Sequence, residues 1–200
     1  MKRTLALLAA LVLGAYSASA TITTAYIEGG TLTNGAQGLA ATGLVGFNFT
    51  VNTDISVVSL GFFGDSLGGG DHPWSALYDT TTSTLLASTT FSPANGWSYN
   101  SITPVTLTPG DTYQVSATAW WAPQYADASG FTFGPEINSV GFTTPAGWSG
   151  WGSPAMATKS TTSTPQVEAN LQYTTVPEPS VLASIVTGAI GLVLFRRRRA

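Results

Sequence analysis

The stretch VGFNFTVNTDISVVSLGFF, Val45 to Phe63, decides the fold. Val45, Phe47, Phe49 and Val51 stand at every second position, with Gly46, Asn48 and Thr50 between them. Side chains on a strand alternate between two faces, so this spacing gathers the apolar groups on one face and the small or polar ones on the other. Asn52-Thr53-Asp54 interrupts the pattern with turn-forming residues. Ile55, Val57 and Ser59 then resume it and run on to Phe63. Each run fits a strand with one face on a core.

The pattern recurs outward from there. Trp74 to Tyr78 and Leu85 to Phe91 read as strands joined by Asp79-Thr80-Thr81-Thr82-Ser83, a hairpin connection. Tyr113, Val115, Ala117 and Ala119 alternate against Gln114, Ser116 and Thr118. Thr108-Pro109-Gly110-Asp111 precedes them as turn chemistry: Pro fixes φ at the first corner and Gly accepts positive φ at the second. Val167, Ala169, Leu171 and Tyr173 form the last alternating run. Residues 21–175 show no sustained apolar stripe of helical period, and their many Thr residues suit a pleated surface. The expected fold is all-β, an antiparallel β-sandwich of jelly-roll-like form. Residues 64–73, with Gly68-Gly69-Gly70, and residues 144–165 read as long loops. Trp148 and Trp151 in the second loop predict that it packs against the domain.

The ends lie outside this domain. Residues 1–20 read as a secretory signal: Lys2 and Arg3 make a basic start and Leu5 to Leu13 an apolar core. Ala18 and Ala20 are the small residues at the expected cleavage site. The implied partners are signal peptidase and the Sec export machinery. At the other end Val181 to Phe195 is uncharged. As a helix it covers about 22 Å, short of a bilayer core of roughly 30 Å, a gap that snorkelling Arg side chains and local thinning can close. Arg196, Arg197, Arg198 and Arg199 follow and read as a stop-transfer cluster on the cytoplasmic side. Pro177 and Pro179 keep any helix from running back into the domain.

With the ends set aside, Lys159 is the one base against nine acids, which leaves −8 on residues 21–175, where the whole chain carries −3. Such a surface repels phosphates, so nucleic acid is excluded as a partner. The chain has no cysteine, so neither disulfide staples nor a thiol nucleophile are available. Its stability therefore rests on apolar burial, to which six Trp, seven Tyr and nine Phe contribute.

Catalytic constellations are thin. His72 is the one histidine, flanked by Asp65 and Asp71 in the glycine loop. That set falls short of a calcium loop or a zinc tetrahedron, so no metal and no cofactor is expected. A Ser-His-Asp arrangement would have to use His72. A glycosidase needs two converging carboxylates, and the acids here sit beside turn residues. The expectation is no catalytic residue and no enzyme. The aromatic residues offer a different chemistry, because a flat ring face stacks on the apolar face of a sugar. Adjacent Trp120 and Trp121 point to opposite sides of a regular strand, so one of them faces out. Trp121, Tyr125, Trp148 and Trp151 are the candidate carbohydrate contacts.

Val176-Pro177-Glu178-Pro179, an apolar span and a terminal arginine cluster, in that order, resemble the sorting signal of PEP-CTERM proteins over residues 176–200. The resemblance implies a motif at residues 176–180, a transmembrane segment at 181–195 and a charged stop at 196–199. It also implies export in a Gram-negative bacterium that makes extracellular polysaccharide, and a transient hold in the inner membrane. Exosortase would then recognise the tail and cut near the Pro-Glu-Pro. A second resemblance covers residues 44–120. Asp79, Leu85-Leu86-Ala87 and Leu107 to Val115 occupy the places of recurring motifs in a family of bacterial extracellular β-sandwich domains of uncertain role. The expected function is that of a cell-surface or matrix protein with a structural or adhesive role. A carbohydrate-binding module acting on extracellular polysaccharide is the alternative, and a glycoside hydrolase the distant one.

Overall fold

The computed structural model describes residues 21–28, 33–34, 43–64, 73–92, 96–119, 124–125, 131–143, 154, 156 and 169–176. The expected signal peptide, the apolar span and the arginine cluster lie outside them. Among the described residues no helix is long and apolar enough to cross a membrane.

Every regular element among the described residues is a strand. In chain order these are β1 (Thr23–Thr24), β2 (Tyr26–Glu28), β3 (Thr33–Asn34), β4 (Gly43–Val51), β5 (Ile55–Gly64), β6 (Trp74–Asp79) and β7 (Thr84–Thr90). Then come β8 (Gly96–Leu107), β9 (Tyr113–Ala119), β10 (Gln124–Tyr125), β11 (Phe131–Phe133), β12 (Ile137–Thr143) and β13 (Ala169–Thr175). All pairings are antiparallel. One sheet has the order β1-β13-β5-β8 and a second the order β12-β4-β9-β6-β7, while β10-β3 and β11-β2 form short ribbons.

The two large sheets share one buried core. Phe47, Phe49 and Val51 of β4, Leu77 of β6 and Val115 of β9 come from the five-stranded sheet. Ile55, Val57, Leu60 and Phe62 of β5, with Leu171 and Tyr173 of β13, come from the four-stranded one. Two sheets that each give one face to a common core have the layering of a sandwich. Tyr26 lies among Phe47, Phe131 and Phe133, with centroids 5.3–5.9 Å from its own, so the β2–β11 ribbon closes over the core with aromatic edges.

Alternation holds in β4 and breaks in β5. Ile55 and Val57 face the core, but so do Leu60 and Phe62. Val58 is the extra residue: Gln172 and Tyr173 of β13 pair with Ser59 and Val57 and skip it. A bulge moves the inward set from odd to even positions. It carries Ser59, Gly61 and Phe63 to the outer face, so the sequence-expected run through Ser59 changes frame there. Facing it, β8 accommodates the same irregularity with Ile102, Thr103 and Pro104 between its partners of Val57 and Ser59. Proline is tolerated there because β8 is an edge strand and the ladder is already interrupted.

Trp74, Ala76 and Tyr78 of β6 point away from the main core and form a second cluster with Leu44, against which Met156 packs. This covers the outer face of the five-stranded sheet. The Trp74 Nε1 and Tyr78 hydroxyl groups are buried there with no partner among the described residues. β12 was not legible as a strand, and of the expected last run Ala169, Leu171 and Tyr173 lie in β13 while Val167 lies outside the described residues.

Candidate functional site

Two regions of the molecule bear on function, and they lie at opposite ends of the strands. The first is the pole at which the last described strand ends. Thr175 pairs with Ile55, and Ile55 pairs with Leu107 on its other side. The Val176 N–H donates to the Asp54 carbonyl at 3.1 Å. Thr23 pairs with Tyr173, so the beginning of the described chain lies at the same pole. The short connections gather here: 52–54, 80–83, 108–112 and 134–136.

Polar side chains at this pole are spent on holding turns. Asp79 Oδ1 accepts from the N–H groups of Thr81 at 2.8 Å and Thr82 at 3.2 Å, and Oδ2 from the Thr82 hydroxyl at 2.8 Å. What burial there is acts to raise the Asp79 pKa, but the bonds from Thr82 and Thr81 outweigh it and hold the carboxyl below its ordinary range. The β6–β7 hairpin is thus the one expected from Asp79 to Ser83. Gly110 takes φ of 105°, as the turn reading required. The Tyr113 hydroxyl reaches back to Thr108, accepting from its N–H at 3.0 Å and donating to its carbonyl at 3.2 Å, which closes the β8–β9 connection.

Glu136 has the other structural carboxylate. It accepts from the Tyr173 hydroxyl at 2.6 Å and ties the last strand to the β11–β12 connection. Burial, followed by the bond to Glu136 and its negative charge, pushes the Tyr173 phenol well above its ordinary pKa. Among the described residues no group of three His, Asp or Glu side chains could hold a metal ion.

The second region is the outer face of the four-stranded sheet, toward the opposite pole. Tyr99 pairs with Gly61 and Trp97 with Phe63, so all four lie on the face opposite Leu60 and Phe62. A Cβ on Gly61 would stand 2.6 Å from Tyr99 Cε1 and 2.9 Å from Cδ1. The ring therefore lies down over the Gly61 backbone, which only glycine allows. Trp97 stacks against Tyr99, with the ring planes 24° apart and the centroids 5.8 Å apart. Phe63 meets Trp97 edge-on at 5.4 Å and Tyr26 does so at 6.0 Å. Both Trp97 and Tyr99 remain half-buried.

Beside these rings the face turns polar. Ser101 and Ser59 pair next along the strands, and the Ser59 hydroxyl donates to Gln172 Oε1 at 2.7 Å. That bond fixes the Gln172 carboxamide with its Nε2 as the remaining donor group. Asn170 is fully engaged below, with Nδ2 donating to the Tyr26 carbonyl at 3.1 Å and Oδ1 accepting from the Leu171 N–H at 2.8 Å.

Of the sequence-expected carbohydrate contacts, Tyr125 lies in β10, paired with Thr33. Trp121, Trp148 and Trp151 lie outside the described residues, as do His72, Asp65 and Asp71. Ala18, Ala20, Pro177, Glu178, Pro179 and Arg196 to Arg199 lie outside them too; Val176 is the one described member of the sorting motif. The Trp97–Tyr99 pair was missed in the sequence. Its signal was the i, i+2 aromatic spacing in GWSYN, but the glycine partner that flattens it comes from a strand nearly forty positions away.

A family model described as a domain of unknown function (DUF4082) matches residues 33–173. The match runs from the start of β3 into β13, so it takes in both large sheets except β1 and leaves out both ends of the chain. No curated protein matches the chain.

Proposed function

The chain belongs to the DUF4082 family, and from that premise we propose that it is an exported cell-surface or matrix domain, of jelly-roll-like winding, with a structural or adhesive role. In this reading residues 1–20 direct export and are removed. Residues 176–200 hold the precursor in the inner membrane until exosortase acts near Pro177-Glu178-Pro179. The observation that carries it is how firmly the last strand is held up to Val176. β13 has a hydrogen-bonded neighbour on each side, β1 and β5, and its ladder continues to Thr175. Val176 makes one more bond, to Asp54, and the Pro-Glu-Pro begins at the next residue. A processing enzyme that binds an extended segment meets the motif directly outside a strand the domain holds firmly.

The structural role is supported by what the acids do. Asp79 and Glu136 are engaged in a turn and in a strand tie, respectively, which leaves the hydrolase reading without support from either.

Glu178→Gln and Pro179→Ala test the sorting step in a host that carries an exosortase. The expected result is accumulation of uncleaved chain in the inner membrane, seen by fractionation and immunoblot. Normal maturation of both variants would contradict recognition through this motif.

A further inference from the structure

We propose that Met156 is a site of reversible oxidation, and that its sulfoxide is bound by two donors on the outer face of the five-stranded sheet, the indole N–H of Trp74 and the hydroxyl of Tyr78. The inference rests on the export reading only for the setting in which an oxidant reaches the domain. Its first support is the supply of sulfur. The chain has two methionines and no cysteine. Met1 lies in the expected signal peptide, so Met156 is the one sulfur of residues 21–175. With no thiol present, the thioether is the group a mild oxidant takes first. Met156 is half-buried, which leaves part of it open to a small peroxide. The rest packs against the cluster of Leu44, Trp74, Ala76 and Tyr78.

The second support is the state of that cluster. Trp74, Ala76 and Tyr78 alternate along β6 and so stand on one face of the sheet. Trp74 is 3% exposed and Tyr78 4%. Trp74 Nε1 and the Tyr78 hydroxyl are both buried there, and neither has a hydrogen-bond partner among the described residues. A buried donor left unpaired is the costly case. Leu44 and Ala76 carry no side-chain acceptor, and a thioether sulfur is a weak one. Burial also raises the Tyr78 pKa to about 12, so its hydroxyl keeps a proton to donate throughout the neutral range.

The third support is chemical fit. Hydrogen peroxide transfers one oxygen to the sulfur: the S–O bond forms, the O–O bond breaks, the sulfur gives up two electrons and water leaves. The sulfoxide oxygen is a strong acceptor with no proton of its own, and it lies on a side chain already packed against two unpaired donors. In an ordinary apolar contact this change disrupts packing. Here it supplies the acceptor the cluster lacks, so oxidation fastens Met156 to β6. A methionine sulfoxide reductase reverses the step.

The test is treatment of the full-length chain with hydrogen peroxide, with peptide mapping to place the added oxygen and a melting curve before and after. Oxygen on Met156 is expected to raise the melting temperature by about 3 °C, the shift that one hydrogen bond gives in a chain of this length. Reductase treatment is expected to return it. Met156→Leu should show no rise, which separates this site from oxidation elsewhere. Trp74→Phe and Tyr78→Phe each keep an aromatic ring and remove one donor, and at least one of them is expected to lose the rise. Tyr78→Phe removes a single oxygen atom, so it remains readable should Trp74→Phe fail to fold. A Met156 that takes up no oxygen overturns the proposal. So does a melting temperature that falls or stays level on its oxidation, or a rise that the variants retain. None of these results touches the sorting step, which is read from the Pro-Glu-Pro variants alone.

Discussion

Tyr78 and Tyr173 are both buried phenols, and their hydroxyls have opposite standing. That of Tyr173 donates to a carboxylate, and that of Tyr78 has no partner among the described residues. A bond to a charged group contributes about 2 kcal/mol, so Tyr173→Phe is expected to destabilise by about that much in a denaturant titration. Tyr78→Phe removes a desolvated hydroxyl and is expected to be neutral, or stabilising by up to about 1 kcal/mol. The same pair governs alkaline stability. Burial raises the Tyr78 pKa to about 12, and the Tyr173 phenol is raised as well. An unfolded phenol releases its proton near pH 10, while the folded one keeps it, so raising the pH above that point favours the unfolded chain. The contribution of the two tyrosines is expected to be constant below pH 10 and then to fall by about 1.4 kcal/mol per unit for each of them, Tyr78 ceasing to contribute near its folded value. Tyr78→Phe should halve the initial slope, and a slope unchanged by it would show that Tyr78 ionises as freely folded as unfolded.

At the scale of the strand, the sequence told most where the period was strict. β4 and β9 were legible because their apolar residues alternate, and the β6–β7 hairpin because its turn residues at 79–83 are explicit. β5 was legible as a strand but not in its frame, since nothing in Val57-Val58-Ser59 says which residue is extra; the pairing with β13 and β8 decides that. β12 was hidden for a related reason. Its pairing with β4 shifts between Ser139 and Gly141, so Val140 is exposed and the alternation is lost. The Tyr99–Gly61 contact depends on the β5 bulge, because the frame shift is what puts Gly61 under Tyr99. Gly61→Val is expected to destabilise by about 2 kcal/mol, within the range for overpacking, because the ring must lift off the strand. Circular dichroism in the aromatic region, read beside a melting curve, checks it. An unchanged aromatic signal with an unchanged melting temperature would show that Tyr99 does not lie on Gly61.

For the whole molecule, the arrangement is one of two poles. Tight turns, hydrogen-bonded acids and the end of the last strand occupy one, and the stacked Trp97–Tyr99 pair lies toward the other. This polarity was not legible in the sequence. The tail could be read from Pro177, Pro179 and the arginines, since those residues act through local chemistry. The Tyr99–Gly61 contact could not, since it is made by register between two strands. As proposed, the domain is exported, held at one pole and cut free there. Intact-mass measurement of the protein recovered from outside its host's cells tests this most directly. The expected species begins at Thr21 and ends within or beside residues 176–180. A chain of full mass, with both ends uncut and confined to the cytosol, would contradict it.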